Sequence, residues 1–219
     1  GILDLSVTAG DLFMGEGDGG EPTRGVLEIL NSGRSFTHTG GTITFLGDNN
    51  YGAAPTIAAL LLEPTTSDLS GSSMVVDLTN NDKDFDINST IALENLTLSS
   101  TSGSGSEIAG LKTRSLAIDG NFTVEDDINF QSNDLDLTLK GDFILTNTAT
   151  YTPGTNTTSF TAASGTNTLS GSSAPTFFNF EKNGSGTLQL GSDISITGAT
   201  FDLEAGTLDD NGNVITFTG

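Results

Sequence analysis

The sequence contains no cysteine and no tryptophan, only two tyrosines and a single histidine. Without cysteine, neither a disulfide framework nor a thiolate-bound metal can exist. Without tryptophan, and with so few tyrosines, the aromatic platforms on which sugar rings stack are scarce. Positive charge is scarce too: 7 Lys and Arg stand against 28 Asp and Glu, a formal net charge of −21. Nucleic-acid phosphates would meet a repelling surface, so no nucleic-acid partner is expected. No run of 18 apolar residues occurs, and no transmembrane helix is expected. The longest apolar stretch, Ile57 to Leu62, is the length of a strand. Residue 1 is Gly and no signal peptide follows it, so the chain is expected to be a mature or excised piece.

What is present in quantity is 33 Thr, 23 Ser, 17 Asn and 28 Gly, together 101 of the 219 residues. This composition is poor in helix formers and rich in strand and turn formers, which excludes a helical bundle. High net charge and polar tracts are also marks of disorder, but the 13 Phe residues sit in short alternating segments, which argues against it. The chain reads as many short strands separated by Gly, Asn, Asp and Ser turns. Leu135, Leu137 and Leu139 alternate with Asp136 and Thr138. The leucines are therefore expected in a core and the polar pair in solvent. No segment has a convincing helical period, and Thr56 to Leu62 is the one ambiguous run.

Phe36 to Phe45 aligns without gaps on Tyr151 to Phe160, and Ala54 to Leu60 resembles Ala174 to Phe180. The offsets, 115 and 120 residues, differ by a five-residue insertion and predict an internal repeat. Short strands joined by small turns predict an all-β fold, a right-handed parallel β-helix or solenoid. Inward residues of such a coil stack into apolar ladders, so a hydrophobic content of 34% can still supply a core. Tandem β-sandwich repeats are the alternative, since a sandwich repeat is about 100 residues long. The expected organisation is an N-terminal region of unfixed register over 1–35, one solenoid repeat over 36–142 and a second over 143–219. The second repeat is expected to continue further, because the final strand runs to Thr218-Gly219 without a polar cap.

The last part of the chain carries a distinctive pattern. Gly165 to Gly171 leads into Phe177-Phe178-Asn179-Phe180-Glu181-Lys182. Gly186 to Leu190, Ile194 to Gly198, Phe201 to Leu208 and Asn211 to Phe217 follow. This resembles the repeats of large cell-surface proteins of Bacteroidota exported by the type IX secretion system, among them the adhesins that form mobile filaments for gliding. The match covers residues 143–219 well and 36–66 more loosely. The resemblance implies an extracellular, cell-surface location and a repetitive, structural role.

Candidate chemical sites are few. Asp82, Asp84 and Asp86 stand at alternate positions of Asp82-Lys83-Asp84-Phe85-Asp86. On a strand they would share one face and could hold Ca²⁺ through oxygen, though a solvated acidic face is the simpler expectation. Asp209-Asp210-Asn211-Gly212-Asn213 lacks the spacing and closing glutamate of a calcium loop and reads as an Asn-Gly turn. Glu125-Asp126-Asp127 and Asn133-Asp134 read as acidic turns. His38, which any Ser-His-Asp triad would need, falls in Thr37 to Gly41, also read as a turn. Gly15 to Gly20 and Ser102 to Ser106 are Gly-rich loops without the lysine of a phosphate-binding loop. The cations Arg24, Arg34, Lys83, Lys112, Arg114, Lys140 and Lys182 are scattered, and only Lys112 and Arg114 form a pair.

These features predict a structural section of an extracellular filament or adhesin, not an enzyme, and no cofactor is expected, calcium at that acidic strand being the alternative. Its expected partners are further repeats of the same protein, with cell-surface or glycan contacts. A glycan- or calcium-binding adhesin module is the alternative, and a carbohydrate-active β-helix enzyme is a more distant one.

Overall fold

Alternation of one apolar and one polar residue can bury a strand on one face only, so the question is what covers that face. A computed structural model of the chain describes residues 2–4, 12–14, 27–29, 35–46, 58–78, 84–101 and 107–219. Among them are twenty-four strands and no helix. The first eight are β1 (Ile2–Asp4), β2 (Leu12–Met14), β3 (Leu27–Ile29), β4 (Ser35–Thr39), β5 (Gly41–Leu46), β6 (Leu60–Leu62), β7 (Thr66–Asp68) and β8 (Ser72–Leu78). The next eight are β9 (Asp84–Ser89), β10 (Asn95–Ser100), β11 (Glu107–Leu111), β12 (Leu116–Ile118), β13 (Phe122–Val124), β14 (Ile128–Gln131), β15 (Leu137–Leu139) and β16 (Phe143–Leu145). The last eight are β17 (Thr150–Thr152), β18 (Thr157–Phe160), β19 (Thr166–Gly171), β20 (Thr176–Phe177), β21 (Asn179–Leu190), β22 (Ile194–Ile196), β23 (Phe201–Asp209) and β24 (Ile215–Phe217).

The chain winds round three faces: each strand pairs edge to edge with its counterparts one coil away, and its inward side chains are covered by those of the other faces, as where Phe122 meets Phe130 and Phe143 meets Tyr151. The first face stacks β12, β15, β18 and the leading parts of β21 and β23, through Leu116, Leu137, Thr158, Phe180 and Phe201. These partners recur at steps of 21, 21, 22 and 21 residues. The second face stacks β5, β8, β10, β13, β16, β19 and the trailing parts of β21 and β23. The third stacks β3, β6, β9, β11, β14 and β17. Its order is continued by β20, β22 and β24, with the Tyr151 ring 5.7 Å from that of Phe177. Among the described residues all pairings are parallel except β1 on β4 and β2 on β3, at the N-terminal end. The fold is a parallel β-solenoid of about six turns, and the tandem-sandwich alternative, built on antiparallel sheets, is set aside.

Side chains stack on their own kind along the axis. Phe122 and Phe143 lie ring on ring, with centroids 5.2 Å apart and planes 10° from parallel. Phe130 and Tyr151 do the same at 5.7 Å and 14°, while Phe122 meets Phe130 edge-on at 4.9 Å across the coil. Leu137 and Leu139 are buried and Asp136 is exposed, as the alternation predicts. Leu135 is only half-buried, because it lies in the turn before β15, where its N–H donates to the Ser132 carbonyl. Of the ambiguous run, Leu60 to Leu62 is β6, while Thr56 and Ile57 lie outside the described residues.

The repeating unit is a single coil, stepping 21 residues from Leu116 to Leu137 but 31 from Ile43 to Met74 and 33 from Leu27 to Leu60, where the corners are longer. Phe36 lies in the sheet of β1, β4 and β7, whereas its aligned counterpart Tyr151 lies in the sheet of β17. The 115-residue alignment therefore superposes similar chemistry on different faces. The β13–β16 ladder pairs Phe122 with Phe143 and so runs across the 142/143 division without a break.

Because Leu137 is fully buried between neighbouring coils, Leu137→Ala is expected to cost about 2–4 kcal/mol of unfolding free energy. Urea denaturation checks this, and Thr138→Ala, on the outer side of the same strand, should cost under about 1 kcal/mol.

Candidate functional site

Corners, where strands end, leave backbone groups that a neighbouring strand cannot satisfy. Here Asn, Asp, Ser and Thr side chains take them up from one coil to the next. Asn95 Oδ1 accepts from the N–H of Asn121 at 2.9 Å, Asn121 Oδ1 from Asp142 at 3.0 Å, and Asp142 Oδ1 from Thr168 at 2.7 Å. A second corner repeats the pattern: Asp136 donates its N–H to Ser115 Oγ, Thr157 donates to Asp136 Oδ1, and Thr200 donates to Asn179 Oδ1. Short polar side chains that can imitate a backbone acceptor suit such positions. Much of the Asn and Asp content of the chain therefore has an architectural cause.

The acidic sequence candidates fall into this scheme or outside the described residues. Asp82 lies outside them, and Asp84 sits on β9 with its side chain undescribed. Asp86, on β9, is bound to Lys112 Nζ at 2.6 Å. Asp209 to Asn213 is a turn, with Asn211 at φ 51° and Gly212 at φ 81°. Asp210 Oδ1 accepts from the N–H of Gly212 at 2.9 Å. Asp126 accepts from Thr146 Oγ1 and Asn147 Nδ2, each at 2.6 Å. Asp134 Oδ1 accepts from the N–H of Thr155 at 2.7 Å. Hydrogen bonds hold Asp126, Asp209 and Asp68 below the ordinary carboxyl range, from Thr146 and Asn147, from Gln189 and Asn211, and from Ser70 respectively. The two Gly-rich loops lie largely outside the described residues. Among the described residues no three His, Asp or Glu side chains converge as a metal site would require.

His38 departs from its expected place. It lies in β4, not in a turn, and is buried, with Nδ1 lacking a hydrogen-bond partner. The Phe36-Thr37-His38 alternation turns it inward, and burial lowers its pKa.

The cations among the described residues are not scattered in space, while Arg24, Arg34 and Lys83 lie outside those residues. Lys112 reaches back one coil to Asp86, Lys140 reaches back to Asp119 at 2.7 Å, and Arg114 pairs with Glu63 and donates to Asn88 Oδ1 at 3.1 Å. Lys182 is the exception that sequence reading missed. It follows Phe180 at the inward period of β21 and occupies the ladder place between Phe160 and Leu203, 1% exposed. Its ammonium donates to the carbonyls of Gly184 and Ala205, the latter at 3.3 Å, and among the described residues no carboxylate pairs with it. Burial lowers its pKa. The strand bulges on both coils to admit it, and Gly206 holds φ 78° there, where a Cβ would lie 2.1 Å from the Gly184 carbonyl oxygen.

A further buried polar group is a cluster in the apolar interior. Tyr151 Oη and Thr158 Oγ1 are 2.9 Å apart, and Asn156 Nδ2 donates to Tyr151 Oη at 2.9 Å and to the Leu135 carbonyl at 3.1 Å. Burial raises the Tyr151 phenol above its ordinary value. Tyr151, Thr158 and Asn156 thus hydrogen-bond to one another inside the apolar interior, where the arrangement orders the core. No family model, curated protein or solved structure matches the chain.

Two outcomes are expected. Because the folded pKa of His38 is lowered, the unfolded chain binds the extra proton first, and stability is lost as pH falls below about 6.5. Melts from pH 7.5 to 5 should show that loss in the wild type and a smaller one in His38→Leu. The excess negative charge is also expected to respond to cations by diffuse screening. Ca²⁺ and Mg²⁺ should then raise the melting temperature alike, and Asp84→Asn should keep the rise; a Ca²⁺-selective rise abolished by Asp84→Asn would establish a dedicated site.

Proposed function

We propose that the chain is a structural section of an extracellular, repetitive surface filament or adhesin, providing length and stiffness and taking no part in catalysis. The observation that carries this reading is the placement of the cations. Each of the four in the described residues ties one coil to another: Lys112 to Asp86, Arg114 to Glu63, Lys140 to Asp119 and Lys182 to Ala205. The corner Asx residues have the same axial use. Polar chemistry that an enzyme would gather in a cleft is here distributed along an axis, which suits a member that carries load.

Support for the location comes from the resemblance of residues 143–219 to type IX-secreted surface repeats, and from an acidic, cysteine-free composition suited to an exposed rod. Partners of the kind this reading calls for are further coils of the same protein, with the cell surface or its glycans touched by loops. Antibody labelling of intact source cells tests it. Label along surface structures is expected without permeabilisation, and label that appears only after lysis would contradict the reading.

A further inference from the structure

Coil-to-coil bonding by side chains has a direction. Among the described residues, eight backbone N–H groups donate to a side-chain oxygen on the preceding coil: those of Asn121, Asp136, Asp142, Thr155, Thr157, Thr168, Thr200 and Val214. Two run forward, from Asp127 and Gly171. The surface ion pairs share the backward sense, since Lys112, Arg114 and Lys140 all reach to an acid earlier in the chain. Each coil therefore offers acceptors to the coil that follows and receives its donors.

The coil formed by β23 and β24 carries this acceptor face with nothing on it. Leu203, Val214 and Phe217 are 52%, 57% and 56% exposed, and they are the exposed large hydrophobic residues among those described. Leu203 and Phe217 occupy ladder positions whose counterparts on the preceding coil, Lys182 and Ile196, are buried. β23 and β24 each pair on one side only. Asp202 and Glu204 are exposed and show no hydrogen bond or ion pair. Meanwhile Lys182 anchors the Ala205 carbonyl from beneath, which holds this last coil in place as a platform.

We infer that this end is a docking face for one further parallel β-coil, supplied in cis, whose strands lay apolar residues on Phe201, Leu203 and Phe217 and bring a lysine or arginine to Asp202 and Glu204. The inference rests on the reading of the chain as a section of a longer rod. It follows from continuity, since the exposed surface is the one by which each earlier coil holds its successor. A second copy fits poorly. Tail to tail, it would set Asp202, Glu204 and Asp210 against the same acids. Head to tail, it would meet the antiparallel strands β1 and β2.

The test appends to Gly219 a copy of residues 114–134, which places the copy of Leu116 one 21-residue step beyond Phe201 and the copy of Ala117 beside Asp202. Two versions are made, with Ala117→Lys or Ala117→Asp in the appended copy only. Amide exchange of Phe201–Asp209 and Ile215–Phe217, followed by mass spectrometry, is compared with the 219-residue chain. The lysine version is expected to slow exchange about tenfold or more, and the aspartate version less. The 219-residue chain is expected to be monomeric by light scattering. Unchanged exchange in both versions would overturn the docking face, and equal slowing in both would overturn the cation requirement. A 219-residue chain that dimerises with these amides already protected would assign the face to a second copy. None of these outcomes depends on where the protein resides, which the cell labelling tests separately.

Discussion

A single coil of this chain is too thin to bury its own apolar side chains, and everything else in the structure follows from the need for another coil to cover them. Ladders such as Leu116, Leu137, Thr158 and Phe180 are flanked along the axis by neighbouring coils, and the interior they line is closed by the opposing faces, as Phe177 closes on Phe180. In this geometry apolar content need only supply the inner positions of three short strands per turn, so 34% suffices. Aromatic rings stack along the axis at about one strand spacing, which lets a narrow interior hold Phe122, Phe130, Phe143 and Tyr151 in mutual contact.

Covering by stacking leaves the corners as the weak points, and the polar composition answers to that. A corner residue must finish one strand, turn, and satisfy a backbone donor one coil away. Asn and Asp do all three, which is why Asn95, Asn121 and Asp142 form one column and Asp136 and Asn179 belong to another. The acidity of the chain is thus partly a by-product of turn chemistry. Few cations remain to offset it, and they serve as staples between coils. Lys182 extends the same logic into the core, where it substitutes for an apolar rung and binds carbonyls that the bulged strands leave open. A charge there is costly, and the carbonyl cage with its left-handed Gly206 is what makes it tolerable.

How much of this could be read in the sequence depended on the range of the signal. Alternation is local, so Leu137 and Leu139 could be placed in the core by inspection. Leu135 could not, because the same alternation continues through a corner where the chain has already turned. The aromatic run Phe177 to Phe180 is continuous in sequence yet divided between two strands, split at a corner. The coil repeat is hidden because its rungs conserve neither identity nor polarity: Thr158 and Phe180 occupy successive places in one ladder, and Lys182 follows Phe160 in the same face. A 115-residue alignment was more visible to the eye, yet it joined segments from different sheets. The glycines that follow His38 suggest a turn, although Phe36 two residues earlier indicates an inward position on a strand. Lys182 was the clearest missed signal. Its place two residues after Phe180 fixed its direction, and only the assumption that lysines face water concealed it.

The central claim, that successive coils stack in parallel at one strand spacing, is tested most directly by distances along a single outward row. Thr44, Val75, Thr97, Thr123, Ile144 and Ser170 are consecutive partners across the second face. The absence of native cysteine makes paired spin labels straightforward to place. With one label at Thr44 and the other moved in turn to Thr97, Thr123, Ile144 and Ser170, the separation measured by pulsed electron resonance should grow by about 4.8 Å per coil, reaching about 24 Å at Ser170. Separations that did not increase steadily with coil number would contradict the stacked solenoid.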